Sequence, residues 1–149
     1  MEKRASRRGL TVRRMSNDIT LSATPITVDD LDAALGFYRD ALGLEVKLDV
    51  PNGEDRWVTL GPADSDGYIV LSQPGAGRSP EDAEALHRLV AKGVMGPYIF
   101  TASDLDAVFA RVADSGAEVL QEPVVQPWGP RDCAFRDPAG NMIRINAAG

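Results

Sequence analysis

Hydrophobic and polar positions follow a recognisable order along the first half of the chain. Residues 19–28 alternate between apolar and polar side chains and include Thr, Val and Ile, which predicts a strand. In residues 30–43 apolar side chains recur every three or four positions, which predicts an amphipathic helix. Three more apolar segments separated by turn residues predict strands in hairpin succession, at 44–50, 56–61 and 68–73.

The second half repeats this order. Residues 97–102 predict a strand, and Ser103 is placed to cap a helix over 104–116. Three closing strands are predicted, at 117–123, 130–137 and 141–146. Both helices begin with Asp-Leu-Asp-Ala, at Asp30 and Asp104, and their apolar stripes are in phase. The chain is therefore predicted to contain two similar βαβββ modules. Each module has one helix for one sheet, so one face of each sheet, called here the bare face, is left uncovered.

A third helix is predicted between the modules. Ser79 can accept a hydrogen bond from the first turn, Pro80 suits the first helical position, and two acidic residues follow it. We expect one domain over residues 19–147, preceded by a leader at 1–18. Its parts are listed here by residue number: module one at 19–75, the linker helix at 79–93 and module two at 96–147.

Net charge separates the leader from the rest of the chain. The whole chain carries 16 basic and 22 acidic residues, but residues 1–14 hold six of the basic residues and only one acidic residue. We expect the leader to be disordered or misannotated, with Met15 as an alternative start. The remaining chain is strongly acidic and repels nucleic-acid phosphate, so no nucleic-acid partner is expected.

Length and composition predict an ordinary soluble domain. The 149 residues are 44% hydrophobic and 26% charged, and no apolar segment reaches the roughly 20 residues needed to cross a bilayer. No membrane partner is therefore expected. The single cysteine excludes an internal disulfide and is compatible with a reducing compartment, so we expect a cytoplasmic protein.

Three segments resemble the vicinal-oxygen-chelate superfamily, which groups glyoxalase I, extradiol dioxygenases, and the fosfomycin and bleomycin resistance proteins. They are VDDLDAALGFYRDALGLEV, SDLDAVFARVADSGAEV and WGPRDCAFRDPAGNMIRI. The resemblance extends from about Ile19 to Ile145. It implies an α+β fold in which the two modules form a curved mixed-sheet cup around a central cavity. It also implies a homodimer.

Metal-dependent members of this superfamily take ligands from the first and last strand of each module. Carried over to this chain, the module-one positions are Ala23 and one of three consecutive apolar residues, Ile69, Val70 and Leu71. The module-two positions are Pro97 and Arg144. None of these side chains can hold a divalent ion, so we expect no metal and no cofactor.

The residue types of the chain lead to the same expectation. A catalytic divalent site needs about three converging imidazole, carboxylate or thiolate ligands. The chain has one histidine, His87, which lies in the linker helix, where solvation or helix packing explains it. Cys133 has no neighbouring histidine to activate it, and strand alternation places it on the helix side, as a buried structural thiol.

The expected cavity residues are aromatic, hydroxyl-bearing or charged. Rings offer a stacking surface for a flat ligand, hydroxyls orient it, and a guanidinium binds anionic groups. The candidate ligand-binding residues are Trp57, Thr59, Tyr68, Ser72, Trp128, Asp132 and Arg144. The aromatic and charged candidates have structural alternatives. The aromatic residues can pack in a core, an interface or a loop, and Arg144 can pair with an acid such as Asp132 or Asp49 or extend to solvent.

Three functions remain open. The first is a metal-independent protein that binds a small aromatic or anionic molecule, similar to the bleomycin-binding branch. The second is a lyase, isomerase or dioxygenase-like ring-modifying enzyme, which needs either a metal site not visible in the sequence or acid–base work by Arg144, Asp132 or Tyr68. The third is a dimerising regulatory module without a small-molecule ligand.

Overall fold

The computed structural model describes residues 18–149, so the expected leader lies almost entirely outside the described residues. Within these residues, eight strands and three helices follow one another in the order predicted. Module one contains β1 (Ala23–Thr27), α1 (Leu31–Leu35, continued by a π-helix over Gly36–Ala41), β2 (Glu45–Asn52), β3 (Asp55–Gly61) and β4 (Tyr68–Ser72). The linker helix is α2 (Pro80–Ala91). Module two contains β5 (Tyr98–Ala102), α3 (Leu105–Asp114), β6 (Glu118–Val125), β7 (Arg131–Arg136) and β8 (Met142–Ala147).

The two modules form equivalent four-stranded mixed sheets, in the orders β1-β4-β3-β2 and β5-β8-β7-β6. In each sheet the first strand runs parallel to the last one of its module, and the other pairs are antiparallel. The predicted α+β class with two tandem βαβββ modules is confirmed. Strand β1 begins at Ala23 rather than at residue 19. Its partner strand β4 begins at Tyr68, which pairs with Ala23, so the residues before Ala23 have no strand partner in β4.

The helix caps correct one prediction. Ser103 does not cap α3; the N-cap is Asp104, whose carboxylate accepts a 3.1 Å hydrogen bond from the Ala107 amide. Asp30 does the same for Ala33 in module one. The first residue of the repeated Asp-Leu-Asp-Ala is therefore the cap in both modules. Ser79 caps α2 as predicted.

The π-helix widens the second half of α1, so that the amide of Leu42 donates to the carbonyl of Phe37, five residues back. Its last carbonyls are held from the other module. Arg111 of α3 donates from Nε to the Ala41 carbonyl at 2.7 Å and from Nη2 to the Leu42 carbonyl at 3.0 Å. The guanidinium thus satisfies orphan carbonyls at a helix end and joins the two helices.

One core lies between the helices and the helix-facing sides of both sheets. Alternate residues of β3 and β7, such as Leu60 and Phe135, join the buried faces of α1 and α3 in a single apolar cluster. The bare faces therefore lie on the outside of the chain, away from the helices.

No helix among residues 18–149 is long and apolar enough to cross a membrane.

Candidate functional site

The bare face of module one carries four of the candidate residues. Val58 and Leu60 of β3 are fully buried toward α1, so Trp57 and Thr59 point to the opposite side. Strand register places Ser72, and Tyr68 at the other end of β4, on the same side. Trp57 is 43% exposed. Thr59 is only 5% exposed, whereas Tyr68 and Ser72 are partly exposed. This face therefore offers one open aromatic side chain and two partly exposed residues that carry hydroxyl groups.

The bare face of module two carries the charged candidates. Arg144 of β8 donates from Nη1 to Oδ2 of Asp132 in β7 at 3.0 Å. Asp132 is 1% exposed, whereas the side chain of Arg144 is 21% exposed. The other acid considered as a partner, Asp49, pairs with Arg56 instead. The buried carboxylate of Asp132 thus holds the guanidinium of Arg144 at a partly exposed position.

Two glutamines, which the sequence did not single out, complete this cluster. Gln121 donates from Nε2 to Oδ1 of Asp132 at 3.0 Å, and Gln126 does so at 2.8 Å. Gln121 also accepts a bond from Arg144, at 3.4 Å between Oε1 and Nη1. Strand alternation could have found Gln121, which lies opposite Ala134. Gln126 lies beyond the end of β6, where sequence periodicity carries no information.

The hydrogen bonds of this cluster keep Asp132 ionised. Burial by itself would raise the pKa of the Asp132 carboxyl, but hydrogen bonds from Gln126, Gln121 and Arg144, together with the Arg144 charge, outweigh it and lower the pKa. The cluster therefore contains one fixed negative charge and one positive charge.

Trp128 lies in the turn between β6 and β7 and is 71% exposed. The amide of Gln126 donates to the carbonyl of Pro130 at 2.8 Å, and that of Gly129 donates to the carbonyl of Gln126 at 3.0 Å. The same glutamine that bonds to Asp132 thus also closes the turn that carries Trp128.

The structure does not bring the two groups of candidates together within one chain. Asp132 and Arg144 share an ion pair on module two, whereas Trp57, Thr59, Tyr68 and Ser72 share the bare face of module one. A cavity of about 540 Å³ lies between the exposed edges of β1 and β5, and Tyr68 is the one candidate that lines it. A second cavity, of about 500 Å³ beside α1, is lined by none of them.

The donor set at the family's metal positions does not fit a divalent ion. Ala23 and Val70 lie on the bare face of module one, Pro97 precedes β5, and Arg144 presents a cation. Residues 18–149 contain no group of three His, Cys, Asp or Glu side chains that could hold a metal. His87 faces Asp29 on an exposed part of α2.

Cys133 is buried in the core on the helix side of β7. Burial is the main cause that raises the pKa of this thiol to about 11, with a contribution from the Asp132 charge. A thiol with this pKa is almost entirely protonated at neutral pH, so it is a poor nucleophile.

Comparison with known proteins agrees with this architecture. The model of the glyoxalase/bleomycin resistance protein/dioxygenase superfamily matches residues 19–145. The crystal structure of UcmS2 is 35% identical with a TM-score of 0.78, covering 86% of this chain and 97% of that one. TnmS3, an antibiotic binding protein from Streptomyces sp. CB03234, is 26% identical with a TM-score of 0.70, covering 89% and 98%.

A curated relative has an enzymatic name. The probable lactoylglutathione lyase of Synechocystis sp. is 29% identical over 126 residues, which cover 82% of this chain and 90% of that protein. The proteins similar to this chain thus include an antibiotic binding protein and a protein named as a probable lyase. With the match extending over nearly all of residues 18–149, the chain belongs to the glyoxalase/bleomycin resistance protein/dioxygenase superfamily.

Proposed function

We propose that this protein binds a small aromatic molecule without the help of a metal ion. The observation that carries the proposal is the set of side chains on the bare faces. Where the family's metal-dependent members have ligands, this chain has apolar side chains and Arg144, while Trp57 remains open on the neighbouring surface. Aromatic rings and a few convergent polar groups are typical of small-molecule sites. The likeness to TnmS3, an antibiotic binding protein, supports a ligand of the antibiotic type.

We propose further that two copies of the chain together form the binding cup. Large apolar side chains on both bare faces are 40–60% exposed in the single chain: Leu48, Val50, Trp57, Ile99 and Val124. Exposed apolar surface of this kind favours association. Packing module one of one copy over module two of the other would place Trp57 and Tyr68 opposite Arg144.

The dimer can be tested by sedimentation. We expect a mass of twice one chain, and Val124→Asp, which charges the bare face of module two, should shift the protein toward the monomer. Val94→Asp is a matched control, since Val94 is similarly exposed but lies after α2. A monomeric wild-type protein would contradict the two-copy cup.

Ligand binding can be tested by thermal shift with doxorubicin and bleomycin as aromatic antibiotic probes. A probe that binds the folded protein raises Tm, and the rise should be unaffected by EDTA. Trp57→Ala should reduce the rise, and Trp57→Phe should largely retain it. One equivalent of a transition metal per chain, in protein purified without chelator, would contradict metal independence.

The same preparation tests the enzymatic alternative, which the similarity to a probable lactoylglutathione lyase favours. Methylglyoxal with glutathione should give no S-lactoylglutathione, with or without added Zn²⁺ or Ni²⁺. Turnover that depends on the added metal would replace the binding proposal by the lyase. A dimer that binds neither probe and has no activity would favour the regulatory module.

A further inference from the structure

The charge on Arg144 is already balanced before any ligand arrives. Its guanidinium lies 3.0 Å from the carboxylate of Asp132, and this carboxylate is almost completely buried beneath it. The two amide groups that also bond to Asp132, from Gln121 and Gln126, carry no charge. The cluster is therefore neutral as a whole, although it contains a cation.

Arg144 nevertheless keeps hydrogen-bond donors to spare. Within residues 18–149 its hydrogen bonds all start from Nη1, to Asp132 and to Gln121. A guanidinium has five N–H donors, so the groups on Nε and Nη2 remain for another partner. The side chain is 21% exposed on the bare face, where these donors can meet a ligand.

A ligand with a neutral hydrogen-bond acceptor and a ligand with an anionic group should bind to this ion pair with different free energies. An incoming carboxylate is attracted by Arg144 but repelled by Asp132 a few ångströms further away, so most of the gain in Coulomb energy is lost. It must also lose its own hydration shell, which the balanced cluster does not replace. A neutral carbonyl oxygen needs only a hydrogen bond, which the free N–H groups can donate without breaking the ion pair.

From this charge balance we infer that the site, if it binds small aromatic molecules as proposed above, selects neutral ligands carrying a carbonyl-type acceptor over aromatic carboxylates. Asp132 is the residue that determines this specificity, although it acts through Arg144. Replacing Asp132 by an uncharged residue of the same shape should convert the cluster into an anion site.

Two naphthalene probes with the same ring test the inference: 2-acetylnaphthalene, a neutral ketone, and 2-naphthoate, its carboxylate counterpart. Kd values are measured by calorimetry at neutral pH with the full-length protein. The wild type should bind the ketone about tenfold more tightly than the carboxylate. A factor of this size is expected when the two binding free energies differ by about the free energy of one hydrogen bond. Asp132→Asn should tighten naphthoate binding about tenfold and change ketone binding by less than about threefold.

Controls separate charge from folding. Arg144→Gln should weaken binding of the ketone, since the free donors are lost, and should weaken binding of naphthoate further, since the charge of Asp132 is then unbalanced. Naphthoate binding to Asp132→Asn should weaken with added NaCl, whereas ketone binding to the wild type should not. The wild-type measurements stand even if a variant fails to fold.

The outcomes distinguish the inference from the proposed function. Equal or tighter binding of naphthoate by the wild type overturns the inference alone, and so does a folded Asp132→Asn protein with unchanged preference. Binding of neither probe by the wild type overturns the proposed aromatic site, and the inference with it.

Discussion

Tyr38 of α1 donates a 2.6 Å hydrogen bond to Oδ2 of Asp137, in the turn between β7 and β8. The bond joins the helix of module one to the last hairpin of module two. The other oxygen of Asp137 accepts three backbone amides of its own turn, at 2.8–3.0 Å. Asn141 in the same turn donates to the carbonyl of Thr27, at the end of β1. This buried polar network fixes how the two modules meet, and thus where the bare faces lie.

Tyr38→Phe should lower the free energy of unfolding by about 2 kcal/mol, because it removes a buried hydrogen bond to a carboxylate. Urea denaturation measures the change. Tyr98→Phe is the matched control: Tyr98 is a partly buried residue of the same core, and the structure gives its hydroxyl no hydrogen bond within residues 18–149. A control that loses as much stability as Tyr38→Phe would contradict this role.

Ionisation of the Tyr38 hydroxyl should make the free energy of unfolding depend on pH. Burial, the nearby Asp137 charge and the hydrogen bond to Asp137 raise the pKa of Tyr38 well above 10.0. In the unfolded chain the phenol ionises at about pH 10, so the stabilisation is complete below that pH and is lost as the pH rises toward the folded-state pKa. The difference in unfolding free energy between wild type and Tyr38→Phe should therefore shrink above pH 10. A difference that stays constant to pH 11 would contradict this.

The helix caps give a prediction that also tests whether Asp104, rather than Ser103, caps α3. Asp30→Ala and Asp104→Ala should each lower the unfolding free energy by about 1 kcal/mol, because each removes an acceptor for an orphan amide of the first turn. Ser103→Ala should change it by less than about 0.5 kcal/mol. Thermal or urea unfolding of the three variants decides whether the serine or the aspartate is the cap.

Two glycines that both have a positive φ should respond differently to replacement by alanine. Gly140 (φ +120°) and Gly116 (φ +93°) both have a left-handed conformation that disfavours a side chain. A Cβ at Gly140 would collide with the carbonyl oxygen of Val90 in α2, whereas a Cβ at Gly116 has open space. We expect a loss of about 1 kcal/mol for Gly116→Ala and about 3 kcal/mol or more for Gly140→Ala. Similar losses would mean that the turn does not pack tightly on α2.

Local sequence patterns predicted the strands, the helices and the side of each sheet on which a residue lies. Trp57, Thr59 and Arg144 could be placed in this way because the side-chain period of a strand is two. The π-helix could not be predicted, since its end is held by Arg111, which is distant in sequence. The Asp132 cluster could be predicted only in part. Strand alternation places Asp132 and Arg144 on the same face of the sheet, but the contact of Gln126 depends on the path of a turn.

Gln126 gives the last prediction, because its side chain connects the turn that carries Trp128 to Asp132. Gln126→Ala removes the bonds to Asp132 and Gln121, so the turn loses its attachment to the buried cluster. Hydrogen exchange of the Gly129 amide should become at least about tenfold faster, since the loss of one hydrogen bond alone has an effect of this size. Gln73→Ala is the matched control, since the Gln73 carbonyl also closes a turn, at Ala76, while its side chain has no bond within residues 18–149. If exchange at Gly129 is unchanged in Gln126→Ala, the turn is held by its backbone alone and the Trp128 turn is independent of the Arg144 cluster.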